Sequence, residues 1–177
     1  MRAFQSAALL ALTLLTLASA PVSANDTYKV EVIVFRQPGE PVPSSKLAPE
    51  GWSAGAMAIS KEQSRETALD QEAAKLSPEN GYEVLLHQAW SQPISETPNS
   101  VAISNGEQQL GHYPVEGTLT FSQGRTFKVD TQLWVNQFDS SGLVSASEHI
   151  KKTGSPVTRG KLTFIDYQSL GILIRIR

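Results

Sequence analysis

The chain has 177 residues with 17 acidic and 15 basic side chains, a formal net charge of −2, and no cysteine. A weakly negative chain is a poor match for general nucleic-acid binding, which needs clustered Lys and Arg against phosphates. The lack of cysteine excludes a disulfide framework, a thiolate metal site, a cysteine nucleophile and a lipid-modified N-terminal cysteine.

The first residues address the chain for export. Met1 and Arg2 form a short positive start, and residues 7–18 are Ala and Leu broken only by Thr13 and Thr16. Small residues then stand at the positions read by a signal peptidase in Ala18-Ser19-Ala20 and in Val22-Ser23-Ala24. This pattern predicts a secretory signal peptide over residues 1–24, cleaved after Ala24, since cleavage after Ala20 would leave Pro21 beside the scissile bond. The apolar run is too short for a membrane-spanning helix, which needs about 20 apolar residues. The expected mature protein, residues 25–177, is periplasmic, carries one positive charge fewer, and is long enough for a single domain with its own core.

Residues 28–35 read Tyr-Lys-Val-Glu-Val-Ile-Val-Phe. Val30, Val32 and Val34 share one face and Ile33 and Phe35 the other, which predicts a strand internal to its sheet. Residues 37–58 hold Pro38, Pro41, Pro43, Pro49 and three glycines. That composition predicts an irregular excursion pinned to the body by Trp52. Ser60 and Gln63 match a capping box, so a helix is expected over 61–76 with Ala68, Leu69, Ala73 and Leu76 as its apolar stripe. Pro78 and Gly81 end it.

A strand follows over 82–92, stopped by Pro93, and then a polar loop over 95–100. Residues 101–104 predict a short strand before the turn at Asn105-Gly106. Val115, Gly117, Leu119 and Phe121 alternate with polar residues, Gln123-Gly124 turns the chain, and Phe127, Val129, Leu133 and Val135 continue the alternation as a hairpin. Residues 139–156 read as a polar loop. The last pair, 158–165 and 170–177, turns across 166–169, with Leu170, Ile172, Ile174 and Ile176 on one face. Together these elements predict an α+β domain: a mainly antiparallel sheet of about five to seven strands with one helix packed on one face.

Catalytic signatures are missing. There is no G-x-S-x-G, no H-E-x-x-H and no phosphate-binding glycine loop, and His87, His112 and His149 share no ligand-like spacing. No catalytic residue, metal or cofactor is therefore expected. Glu83 with Asp130 or Asp166 could make a carboxylate pair only if folding brought them together. Trp134 falls in phase with Lys128, Asp130 and Gln132, so its indole is either a sugar-stacking platform or the layer beneath the helix over 61–76. Lys151-Lys152, Arg159-Lys161 and Arg175-Arg177 could form a basic patch able to meet peptide-stem carboxylates, or a solvated face.

The strand 28–35 and the stretch Val84-Leu-Leu-His-Gln-Ala-Trp-Ser-Gln-Pro93 resemble the CsiV family of periplasmic peptidoglycan-binding proteins. Gly117-Thr-Leu through Gly124-Arg125, and Arg159-Gly-Lys-Leu-Thr-Phe-Ile-Asp166 with Leu170-Gly-Ile-Leu-Ile174, follow in the family's order. The family's histidine-tyrosine-x-aspartate-histidine-proline stretch matches Thr163 to Gln168 here, where Asp166 survives and both histidines and the proline do not. The arginine-tyrosine-leucine-histidine pattern of the middle hairpin is reduced to Arg125-Thr126-Phe127-Lys128. The resemblance implies a non-catalytic protein that binds peptidoglycan and supports cell-wall synthesis, through an outer-membrane lipoprotein activator of a class A penicillin-binding protein. With the aromatic pattern it nominates Trp90, Gln92, Arg125, Trp134 and Asp166 as ligand-binding residues. Two other readings stay open: an accessory protein that pairs its sheet edge with another polypeptide, and a glycan hydrolase built from scattered acids.

Overall fold

A computed structural model describes residues 26–177; the expected signal peptide, residues 1–24, lies outside the described residues. Nine strands form in chain order: β1 (Thr27–Arg36), β2 (Met57–Ala58), β3 (Glu83–Pro93), β4 (Asn99–Asn105), β5 (Val115–Gln123), β6 (Phe127–Phe138), β7 (Val144–Val157), β8 (Thr163–Tyr167) and β9 (Leu170–Ile176). Among the described residues one short α-helix, α1, covers Asp70–Lys75, and a single 3-10 turn covers Pro78–Asn80. Sheet A has the order β3-β1-β9-β8 and sheet B the order β2-β4-β5-β6-β7. All pairings are antiparallel except β2 with β4.

Apolar side chains on both faces of β1 explain its central place in sheet A. Val30, Val32 and Val34 face sheet B, joined by Ile172, Ile174 and Ile176 of β9, and meet Leu119, Val129, Leu133 and Ile150 in one continuous core. Ile33 and Phe35 point the other way, under Leu69, Ala73 and Tyr82. Two sheets packed through their apolar inner faces make a sandwich. At about 25 cal/mol per Å² of apolar surface removed from water, such inner faces supply most of the drive to fold.

The expected α+β class, a single sheet under one helix, is therefore corrected. Among the described residues 53% are in strands and 6% are helical, so the domain is mainly β with two sheets. Two segments account for the difference. The capping box does form, with Ser60 N–H donating to Gln63 Oε1 (3.0 Å) and Gln63 N–H to Ser60 Oγ (3.3 Å). It closes only one turn, because the next residues pair with the outer edge of β3: Arg65 N–H donates to Ala89 O and Ser91 N–H to Gln63 O. Backbone pairing with an otherwise open strand edge outweighs local helix propensity, and the helix shrinks to α1.

The second segment is β7, which replaces most of the polar loop expected over 139–156. Its buried residues include Ser147 and Glu148 beside Ile150 and Val157, so no apolar alternation announces it. Ser147 Oγ donates to Asn136 Oδ1 (2.6 Å), and Glu148 accepts from Arg36 (2.7 Å) and Ser169 Oγ (2.6 Å), which satisfies these two buried side chains. Pro156 is tolerated because β7 is the last strand of sheet B, where a missing N–H interrupts no further pairing.

Gly117, in the middle of β5, shows how tightly β5 and β6 approach. Its φ is +153°, and a Cβ there would lie 2.1 Å from Gln132 O and 2.6 Å from Leu133 Cα. Only glycine fits that position.

Candidate functional site

The outer faces of the two sheets differ in kind. On sheet A the buried Glu31 carboxylate takes hydrogen bonds from Ala68 N–H (2.6 Å) and Leu69 N–H (2.7 Å), lies 3.0 Å from His87 Nε2, and meets Arg175 at 3.4 Å. Burial acts to raise the Glu31 pKa, but these hydrogen bonds outweigh it and hold the carboxyl below the usual glutamate range. Its lone pairs are occupied by the protein itself.

Sheet B instead presents polar rows to its outer side. Register places Ala102, Thr118, Gln132 and Lys151 side by side across β4 to β7, and Ser104, Glu116, Trp134 and His149 in the next row. Two grooves flank these rows. The first, about 440 Å³, lies over β4 and is lined by Trp52, Tyr113, Gln88, Gln108, Ser53 and Ser104, with no charged side chain in its wall. The second, about 430 Å³, lies over β6 and β7 and includes Lys46, Gln132, Trp134, His149, Lys151 and Tyr167.

The aromatic wall of the first groove is held in place from both sides. Trp52 sits in a double turn, with Ala54 N–H donating to Gly51 O and Ala56 N–H to Ser53 O. Gly51 and Gly55 supply the positive φ that this turn requires. The Trp52 ring meets Tyr113 edge-on at 6.3 Å. Tyr113 is fixed through its backbone: its N–H donates to Glu116 Oε2 (2.8 Å) and its carbonyl accepts from Asn136 Nδ2 (2.9 Å). Glu116, fully buried, also accepts from Asn136 (2.8 Å) and lies 2.6 Å from His112 Nδ1. Gln88 reaches from β3, donates to Ser104 O (2.9 Å) and closes the floor between the sheets. Half-exposed aromatic rings beside neutral amides and hydroxyls suit a polyhydroxylated ligand: the rings take its C–H faces and the amides its hydroxyls.

The residues nominated from sequence do not converge. Trp90 and Gln92 are fully buried between the sheets, where Trp90 Nε1 donates to Gln92 Oε1 at 2.6 Å and the indole meets Phe121 edge-on. Neither offers a surface to a ligand. Arg125 is exposed in the β5–β6 turn, in a separate groove with Tyr28 and Arg159. Asp166 is exposed on β8 and accepts from Gln37 Nε2 (2.8 Å).

Trp134 does face outward from sheet B, in the expected phase, but α1 lies on sheet A. What covers this indole is His149, stacked on it at 4.6 Å with 6° between the planes, and the wall contributed by the Pro-rich segment. The basic pairs also separate. Arg175 is engaged with Glu31, Arg159 lies over the Tyr28 ring at 5.2 Å, and Lys151 lines the second groove. Glu83 is bound to Arg36 in sheet A, while Asp130 accepts from Gly154 N–H in sheet B, so these acids serve different places. No cluster of three or more His, Asp or Glu among the described residues is placed to hold a metal ion.

Sequence reasoning misses Tyr113, Gln88, Gln108 and Lys46 as groove residues. The one available signal is Trp52, a tryptophan between glycines in a proline-rich stretch, where a large indole has little regular structure to bury it.

The sequence profile described as "Peptidoglycan-binding protein, CsiV" matches residues 58–177, from β2 to the last residue. No curated protein and no solved structure matches the chain. The profile covers the second residue of β2 and all of β3 to β9, which is sheet B but for Met57, and three of the four strands of sheet A. With well over half the chain matched, the protein belongs to the CsiV family of peptidoglycan-binding proteins.

Proposed function

We propose that this chain is exported by its signal peptide, works in the periplasm as a binding protein without turnover, and holds the glycan strands of peptidoglycan in the Trp52–Tyr113 groove. The observation that carries the reading is that groove itself: one half-exposed indole set against a braced tyrosine, with neutral hydrogen-bonding side chains around them. Its uncharged wall suits sugar rings, and the family's description supplies the ligand class. Among the three tryptophans Trp52 is the half-exposed one, whereas Trp90 and Trp134 are buried.

Sedimentation with purified sacculi tests this. The wild-type chain is expected in the pellet, and Trp52→Ala in the supernatant with unchanged thermal unfolding. Equal pelleting of the two proteins would remove the groove from the account. N-terminal sequencing of protein from a periplasmic extract should begin at Asn25; a mature form that keeps residues 1–24 counts against export.

The role proposed for the bound state is support of cell-wall synthesis through an outer-membrane lipoprotein activator of a class A penicillin-binding protein. Co-purification of that lipoprotein with the immobilised chain is the outcome expected.

A further inference from the structure

The second groove shares a sheet face with the first, but its chemistry differs. Lys46 enters from the Pro-rich segment and Lys151 from β7, over the stacked rings of Trp134 and His149. No Asp or Glu lines the groove, and among the described residues neither lysine has a carboxylate within 4 Å. The two ammonium groups act on the same spot: burial first, then the charges of Lys151 and Lys46, hold the His149 imidazole below its usual range. At the floor, Trp134 Nε1 and His149 Nε2 are buried and have no partner in the protein, although buried polar atoms almost always find one. Unpaired cations gathered in one groove create a positive potential that an anion relieves.

We propose that this groove is a carboxylate-binding subsite for the stem peptide of peptidoglycan, positioned to engage it while the Trp52 groove holds the attached glycan. The inference rests on the glycan reading for its ligand but on different residues for its chemistry. Ala102 lines the first groove and Gln132 and Lys151 the second, and register sets them in one row with Thr118 between. From β4 to β7 is three strand spacings, roughly 14 Å. An extended peptide of about four residues covers that distance. Lys46 and Lys151 meet carboxylates of the stem, while the Gln132 amide and the Tyr167 hydroxyl remain for peptide amides.

The test uses the full mature chain and a Lys46→Ala/Lys151→Ala double variant, both lysines being exposed and outside the core. Three probes are compared: intact sacculi, glycan strands stripped of peptide by an amidase, and a free stem tetrapeptide beside its fully amidated form. Intact sacculi should bind the double variant about tenfold more weakly than wild type at low salt, a difference that shrinks at ~0.15 M salt as the charges are screened. Stripped strands should bind both proteins equally. The tetrapeptide should shift the His149 imidazole resonances of wild type, and the amidated form should not. Lys46→Arg/Lys151→Arg should restore binding. Equal binding of sacculi by wild type and double variant, or equal response to the two peptides, overturns the proposal. Failure of stripped strands to bind wild type, with lysine-dependent peptide binding intact, sinks the glycan reading and leaves the carboxylate subsite standing.

Discussion

The two sheets bury similar inner faces yet treat their outer faces in opposite ways. On sheet A, Ile33 and Phe35 lie beneath Leu69, and the one buried acid, Glu31, spends its oxygens on the backbone of 68–69, His87 and Arg175. On sheet B the buried Glu116 is likewise spent on Tyr113, Asn136 and His112, but two grooves remain open, and among the described residues Lys46 and Lys151 face the second with no carboxylate within 4 Å. A face whose polar groups are satisfied internally is structural. A face that leaves donors and rings unspent has capacity for a ligand.

The sharpest way to break this contrast is on sheet A. Glu31→Ala strips a buried carboxylate from a guanidinium and two backbone N–H donors, and should cost about 3–5 kcal/mol in urea unfolding. The groove residues of sheet B should keep their affinity for sacculi in whatever fraction stays folded.

Acid provides a graded version of the same perturbation. Because the folded-state pKa of Glu31 lies below its ordinary value of 4.5, its contribution is complete above that value. It is lost as pH falls through the lower folded value. Stability of the wild type should therefore drop below about pH 4.5 more steeply than that of Glu31→Gln.

Gly117→Ala tests the spacing that keeps the rows of sheet B in register. Forcing a methyl group against Gln132 O should cost about 1–3 kcal/mol and weaken binding at both grooves. A smaller change is expected where the box at 60–63 caps a single turn: Gln63→Ala should cost about 1 kcal/mol and speed amide exchange along the edge of β3. Smallest in stability is Trp52→Ala, expected within about 1 kcal/mol of wild type while sacculus binding is lost. A large stability loss there would make Trp52 part of the core and erase the contrast between the two faces.

Several elements are legible in the linear chain alone. Apolar residues on both faces mark β1 as internal, and the β5–β6 and β8–β9 hairpins follow from alternation plus the turns at Gln123-Gly124 and 166–169. The phase of Trp134 on an outward face is equally plain. β7 escapes because its buried Ser147 and Glu148 are compensated by Asn136, Arg36 and Ser169, partners that no local pattern displays. The helix expected over 61–76 fails for a related reason: its capping box is real, but the free edge of β3 claims residues 63–65. Trp90 resembles a ligand residue because its neighbourhood carries the family resemblance; a fully buried indole bonded to Gln92 gives that stretch a packing reason instead.

Residue periodicity thus determines by itself which segments extend, where most of them turn, and which side chains share a face, because those properties need only neighbours in the chain. The family resemblance is likewise present in the linear order of its blocks. Only the tertiary structure decides that the strands divide into two sheets, with β1 joined to β9 across the length of the chain, and that Trp52 and Lys46 arrive from one proline-rich segment at two different grooves. Such choices depend on long-range backbone pairing and on the burial of charge, and both are settled between residues a hundred or more positions apart, such as Arg36 and Glu148.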